Sequence, residues 1–192
     1  DIVLMVLAGK VNKSLVSFIQ QKSGNAIGLC GADGGMIKAR RVDERLGYVG
    51  EIDSINTAPI LDILEKGYIP VISTVGCDGE GNICNINADT AAAMIAGELN
   101  AESFINMTDT GGILEDPEDD TSVLSKIHTN DVPALIKDGS LSGGMIPKAQ
   151  CCVEAAERGV NRVFIIDGRI PHSILIETLT DEGIGTMFVT GD

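Results

Sequence analysis

The sequence has no tryptophan, and only four phenylalanines and two tyrosines among 192 residues. A core without large aromatics must be built from Val, Ile, Leu, Ala and Met. That suits helices packed on a parallel sheet better than a β-sandwich. Positive charge is scarce too: 14 Lys and Arg stand against 28 Asp and Glu, for a net charge of −14. Gripping nucleic-acid phosphates is therefore not expected as the main task, although an anionic small molecule needs only local positive groups. The five cysteines, Cys30, Cys77, Cys84, Cys151 and Cys152, contain no C-x-x-C spacing, so no zinc site is expected and reduced thiols in the cytoplasm are the simplest reading. Neither a signal peptide nor a long apolar span is expected, hence no membrane partner. A Walker A spacing is missing. The EF-hand spacing is missing from the acidic run at 115–120, which reads as a solvated loop. The two histidines, His128 and His172, have no suitably spaced nucleophile or metal partner.

What is present alternates between strand and helix patterns. Apolar positions from Ile2 to Ile19 recur with helical period, with Gly9 inside the run and Gly24 closing it. A buried strand is expected at 25–30, a turn at 32–35, and a hairpin partner for that strand at 36–42. Another strand follows at 48–52, then a helix capped by Asn56 or Thr57 with Pro59 near its start and Gly67 past its end. Residues 68–75 read as one nearly continuous apolar strand. Further strands are expected at 103–108, 163–166 and 186–189, with helices at 130–137, 145–158 and 171–179. The pattern predicts an α/β fold, a three-layer sandwich with a mainly parallel sheet flanked by helices. Ligands in such folds bind at the carboxyl ends of strands.

The stretch Asn82-Ile83-Cys84-Asn85-Ile86-Asn87-Ala88-Asp89-Thr90 runs straight into Ala91-Ala92-Ala93, a helix start. Asn87 can be an N-cap there, and Asp89 a first-turn acid that complements the helix dipole. Three polar groups exceed what one cap needs, so a ligand is the competing reading. In Gly143-Gly144-Met145-Ile146-Pro147-Lys148, Pro147 is tolerable only in a first helical turn. That puts Lys148 at the positive end of a dipole, where a bound anion would make a cation welcome. A stray surface lysine behind a flexible loop is the alternative. Asp109-Thr110-Gly111-Gly112 sits at a strand's carboxyl end.

Taken together, Leu7-Ala8-Gly9-Lys10-Val11-Asn12-Lys13, Gly47 to Glu51, Gly67 to Val71, Asn85-Ile86-Asn87-Ala88-Asp89, Thr108-Asp109, Gly111 to Leu114, Ser142 to Lys148 and Gly183 to Met187 closely resemble the N-acetylglutamate kinases of the amino acid kinase family. The resemblance implies transfer of a phosphoryl group from ATP, with Mg2+ carried by the nucleotide phosphates, to the side-chain carboxylate of N-acetyl-L-glutamate, a step of arginine biosynthesis. It implies that Asn85 and Asn87 bind the substrate, that Lys148 stabilises the transferring group and that Asp89 positions lysines around it. Asp109, Thr110, Gly111, Gly112, Ile113 and Leu114, with Ser140, Leu141, Ser142, Gly144 and Met145, would border the nucleotide. His172, Glu182 and Gly185 would form an arginine effector site, a homo-oligomer is implied, and no protein-held metal is. The resemblance is to the carboxyl-terminal two-thirds of such kinases. Residues 1–192 are thus expected to be a single partial domain, with a remainder of the substrate half over about 1–67 and the nucleotide half over about 68–192. The amino-terminal glycine loops of the family would lie upstream, and the chain alone is expected to be inactive. A kinase for an N-acetylaminoadipate-type substrate and a non-catalytic nucleotide- or arginine-binding module are the alternatives.

Overall fold

The structure is a computed structural model that describes residues 1–116, 119, 122–180 and 183–191. The chain divides into two compact units, Asp1–Ala91 and Ala92–Asp192.

The first unit opens with a helix from Ile2 to Gln21 in three segments: α1 (Ile2–Leu4), a π-helical stretch (Met5–Val11) and α2 (Asn12–Gln21). The wide turns enclose Gly9, where close packing could have explained the glycine, but a Cβ there would meet nothing within 4 Å; π turns inside α-helices are rare and local. By length and composition alone this helix could cross a membrane, which corrects the expectation that the chain has no long apolar span. The polar residues Lys10, Asn12 and Lys13 break up the run to the eye without lowering its average enough. Asn12, only 2% exposed, ties the helix to a sheet. Its Nδ2 donates to the Leu29 carbonyl at 3.1 Å and to the Val71 carbonyl at 2.7 Å. These belong to β1 (Ala26–Cys30) and β4 (Ile69–Ser73), a parallel pair in the register Gly28↔Val71.

Residues 36–42 do form a strand, β2 (Ile37–Arg41), but it is not the hairpin partner of β1. The turn at Gly34 and Gly35, both with positive φ, redirects the chain. β2 pairs instead with the antiparallel β3 (Gly50–Ile55) and the parallel β5 (Val75–Cys77), and β5 pairs with β6 (Ile83–Asn85). The helix α3 (Ala58–Glu65) starts as expected, with Asn56 Oδ1 accepting from the Ala58 N–H at 3.2 Å and Pro59 in its first turn. The apolar run 68–75 is divided between β4 and β5, which lie in different sheets. Thr74 breaks it, and its carbonyl accepts from the Ile86 N–H at 3.1 Å.

Helix α4 (Ala88–Glu98) follows. The second unit holds a four-stranded sheet in the order β7-β9-β10-β8, built from β7 (Ser103–Thr108), β8 (Lys126–His128), β9 (Arg162–Asp167) and β10 (Thr186–Val189). β8 is an addition to the sequence reading; three residues are too few to show a period. β7 and β8 run parallel to their neighbours β9 and β10, while β9 and β10 are antiparallel to each other. Helices α5 (Val132–Asp138), α6 (Met145–Glu157) and α7 (Ser173–Leu179) complete the unit. Its core joins Ala149, Cys152 and Ala155 of α6 to Phe104, Val163, Ile165 and Phe188 of the sheet. Parallel strands flanked by helices are the architecture expected from the alternation. Among the described residues the strands are shared among three sheets, and antiparallel pairs such as β5–β6 accompany the parallel ones.

Candidate functional site

The polar stretch of the first unit is built on the β5–β6 hairpin. Asn85, the last residue of β6, is fixed by its backbone: its N–H donates to the Tyr48 carbonyl at 2.7 Å. Asn85 borders an open cavity of about 690 Å³ that Tyr48, Val49, Asn82 and Ile83 also line. Asn87 does not line that cavity. Its Oδ1 accepts from the Thr90 N–H at 3.0 Å, so the capping reading holds for its oxygen, and the Nδ2 donors remain on the other side of the carboxamide. Asp89 is half-buried in the first turn of α4, where a carboxylate complements the dipole.

In the second unit the structure gathers the two predicted glycine-containing loops around one cavity of about 130 Å³. Thr110, Gly112, Ile113, Leu114, Ser140, Leu141, Ser142 and Met145 line it. Of the other residues predicted for this role, Asp109 directly follows β7 and accepts from the Thr108 hydroxyl at 3.4 Å. Gly111 lies beside Val123, and Gly144 is the N-cap of α6. Apolar Ile113, Leu141 and Met145 with the hydroxyls of Thr110, Ser140 and Ser142 make a donor set suited to a flat base and a sugar. Asp138 shapes the second loop. Its carboxylate accepts from the Ser140 N–H at 3.0 Å, and this contact with Ser140 draws the carboxyl below its ordinary range.

A residue that sequence reasoning left as a plain strand position holds the first loop. Thr186 is fully buried, and its Oγ1 accepts from the Ile113 N–H at 2.9 Å. Gly112, with φ of 142°, lies so close that a Cβ there would come 2.7 Å from the same oxygen. A buried threonine opening a strand next to glycine was the available signal. Lys148 is half-buried in α6, one residue after Pro147, and its Nζ donates to Asn106 Oδ1 at 3.4 Å. Asn106 was likewise read only as strand.

The residues predicted for an effector are spread around α7. His172 precedes the helix with φ of 64° and is exposed. It lines a cavity of about 450 Å³ with Met107, Arg169, Ile170, Pro171 and Leu175. Glu182 lies outside the described residues. Gly185 has a packing explanation: a Cβ there would sit 2.2 Å from the Ile165 carbonyl oxygen. Glu177, unnoticed in the sequence, accepts from the Ile184 N–H at 2.9 Å. Among the described residues no three His, Cys, Asp or Glu side chains are grouped to hold a metal.

The sequence pattern of the amino acid kinase family matches residues 1–167. The chain belongs to the amino acid kinase family. This amino acid kinase chain is 54% identical over 190 residues to an acetylglutamate kinase of Brachyspira hyodysenteriae, covering 98% of the chain and 66% of that relative. It is 50% identical to one of Thermosynechococcus vestitus, covering 98% and 64%. The chain thus spans about two thirds of the length of these relatives. A solved protein of Streptococcus mutans superposes with a TM-score of 0.82 at 31% identity, covering 96% of the chain and 69% of that protein.

Proposed function

We propose that the protein phosphorylates the side-chain carboxylate of N-acetyl-L-glutamate with ATP, as a step of arginine biosynthesis in the cytoplasm. The observation that carries this reading is the cavity between the Thr110–Leu114 and Ser140–Met145 loops, directly before the helix that bears Lys148. Identity of 54% to an acetylglutamate kinase over 98% of the chain supports the choice of substrate.

The chemistry follows from the groups. A carboxylate is already a nucleophile, so no strong base is required, and catalysis is positioning plus neutralisation of phosphoryl charge. The cavity is smaller than the roughly 300 Å³ of a whole-ligand pocket. It therefore takes the nucleoside, and the phosphates extend outward to the start of α6. There the N–H groups of a helix end and the Lys148 ammonium both favour negative charge. Asn85 and Asn87 supply amide groups to acetylglutamate from the β6–α4 connection, and Asp89 orients cationic groups. Magnesium needs only one or two carboxylates when phosphate oxygens supply the other ligands, so a protein-built cage of three acids is not required; the ion supplies charge neutralisation on the phosphates.

Two finer readings belong here. The exposed apolar residues Ile2, Met5, Leu15 and Phe18 along the first helix support a homo-oligomer that covers them. The cavity at His172 is the one observation that favours an arginine effector site with Glu182 and Gly185; Gly185 does not line it, and Glu182 lies outside the described residues. The test is ADP release by the full-length gene product with acetylglutamate, N-acetylaminoadipate or neither. Turnover with acetylglutamate, slowed by added arginine, is expected. Nucleotide binding without turnover on either acid would overturn the reading.

A further inference from the structure

A carboxamide in the middle of an apolar strand costs stability unless its polar atoms are met. Asn106 is such a group. It lies in β7, Ser103-Phe104-Ile105-Asn106-Met107-Thr108, opposite Ile165 of β9, and is 5% exposed. Strand alternation puts Phe104, Asn106 and Thr108 on one face. Phe104 packs in the core that includes Ala149 and Cys152 of α6, so this face looks toward α6. Asn106 Oδ1 lies 3.4 Å from Lys148 Nζ. Both residues belong to the unit Ala92–Asp192.

Lysine carries its charge on a four-carbon stem with large rotamer freedom. A transition state profits from a cation already in place. The kind of acceptor matters as much as its position. A neutral carbonyl oxygen can fix the ammonium without adding negative charge of its own. We infer that Asn106 is a positioning residue for phosphoryl transfer: through its side-chain oxygen, which adds no charge of its own, it orients the Lys148 ammonium. This rests on the kinase reading above.

The test uses the full-length gene product with Asn106→Leu, which removes the acceptor at similar volume, and Asn106→Asp, which keeps an acceptor but adds charge. For Asn106→Leu, kcat should fall about tenfold, the low end for a hydrogen bond to a charged group. The KM for acetylglutamate should stay within about twofold, since other groups hold that substrate. Asn106→Asp should also lose kcat while its thermal stability stays closer to the wild type. A second readout does not depend on turnover: the 15N–1H signal of the Lys148 ammonium, assigned by its loss in Lys148→Met, should be visible in the wild type and broadened in Asn106→Leu. A merely structural Asn106 would lower the melting temperature and leave kcat and that signal of the folded variants unchanged, which would overturn the proposal. Should the wild type fail to turn over acetylglutamate, the kinase reading falls, and the ammonium signal still decides whether Asn106 orients Lys148.

Discussion

Replacing Gly28 by alanine tests how the first helix is locked to its sheet. A Cβ at Gly28 would lie 1.9 Å from Asn12 Oδ1 and 2.6 Å from Lys13 Nζ, so neither side chain can stay where it is. Asn12 would have to swing away from the carbonyls of Leu29 and Val71, which it meets at 3.1 and 2.7 Å. Lys13 would lose its contacts with Asn12 Oδ1 at 3.1 Å and the Gly28 carbonyl at 3.3 Å. Two lost hydrogen bonds of about 0.5–1.5 kcal/mol each, with some desolvation left uncompensated, give a destabilisation of about 2–4 kcal/mol. Asn12→Ala loses the same pair of bonds and should cost about 2–3 kcal/mol. In the double variant the clash with Asn12 is gone, and the remaining one is with the far end of the flexible Lys13 side chain, which can turn away. The double variant should therefore cost little more than Asn12→Ala alone, a coupling of about 2 kcal/mol, within the range seen for residues in direct contact. Urea unfolding of the full-length gene product and its three variants measures this. Additive losses would show that Gly28 and Asn12 do not share one space and would refute the reasoning.

Three further outcomes are expected. Lys148→Met should lower kcat about a hundredfold or more, as removal of one preorganised donor to developing charge does, with a much smaller change in the KM for acetylglutamate; Asp89→Asn should also act on kcat, and steady-state kinetics of the double variant should show a loss well short of the product. The Asp167 carboxyl, held below its ordinary range by Arg169, which it meets at 2.8 Å, contributes stability that is present above the unfolded-state carboxylate pKa and is lost as pH falls through the lower folded value. The stability gap between the wild type and Asp167→Asn should thus be widest near neutrality and shrink in acid, as read by denaturant melts across pH. Gly185→Ala should destabilise by about 1–3 kcal/mol, the range for overpacking, because the added methyl meets the Ile165 backbone rather than a side chain that can turn; an unchanged melting temperature would show that β9 and β10 separate easily.

Much of the second unit was legible because its signals are local. The helix start at Met145 is marked by Pro147 and the paired glycines, and the strand Arg162–Asp167 by an unbroken apolar run. The two loops bordering one cavity were named through the resemblance to the kinase family, their glycines alone being a weak signal. What escaped was set by distant partners. The division of residues 68–75 between two sheets depends on Thr74 receiving the Ile86 N–H, and nothing in the apolar run announces it. Thr186 and Asn106 looked like ordinary strand residues because their partners, Ile113 and Lys148, are 73 and 42 positions away. Asn87 shows the opposite case. Its cap was predicted, and that local hydrogen bond is present alongside any role toward a ligand.

The start of β10 has a mechanical consequence. Ile184 is held by the Glu177 carboxylate, Gly185 rests against the Ile165 carbonyl, and Thr186, the next residue, holds the Ile113 N–H. Two peptide bonds therefore separate the Ile184 N–H that Glu177 holds from the anchor of the Thr110–Leu114 loop. Thr186 is fully buried and Gly185 lies against backbone, so a change at the Glu177–Ile184 contact has little room to be absorbed before it reaches the loop. The placement of that loop is thereby tied to the packing of α7, with the β9 backbone as the support between them.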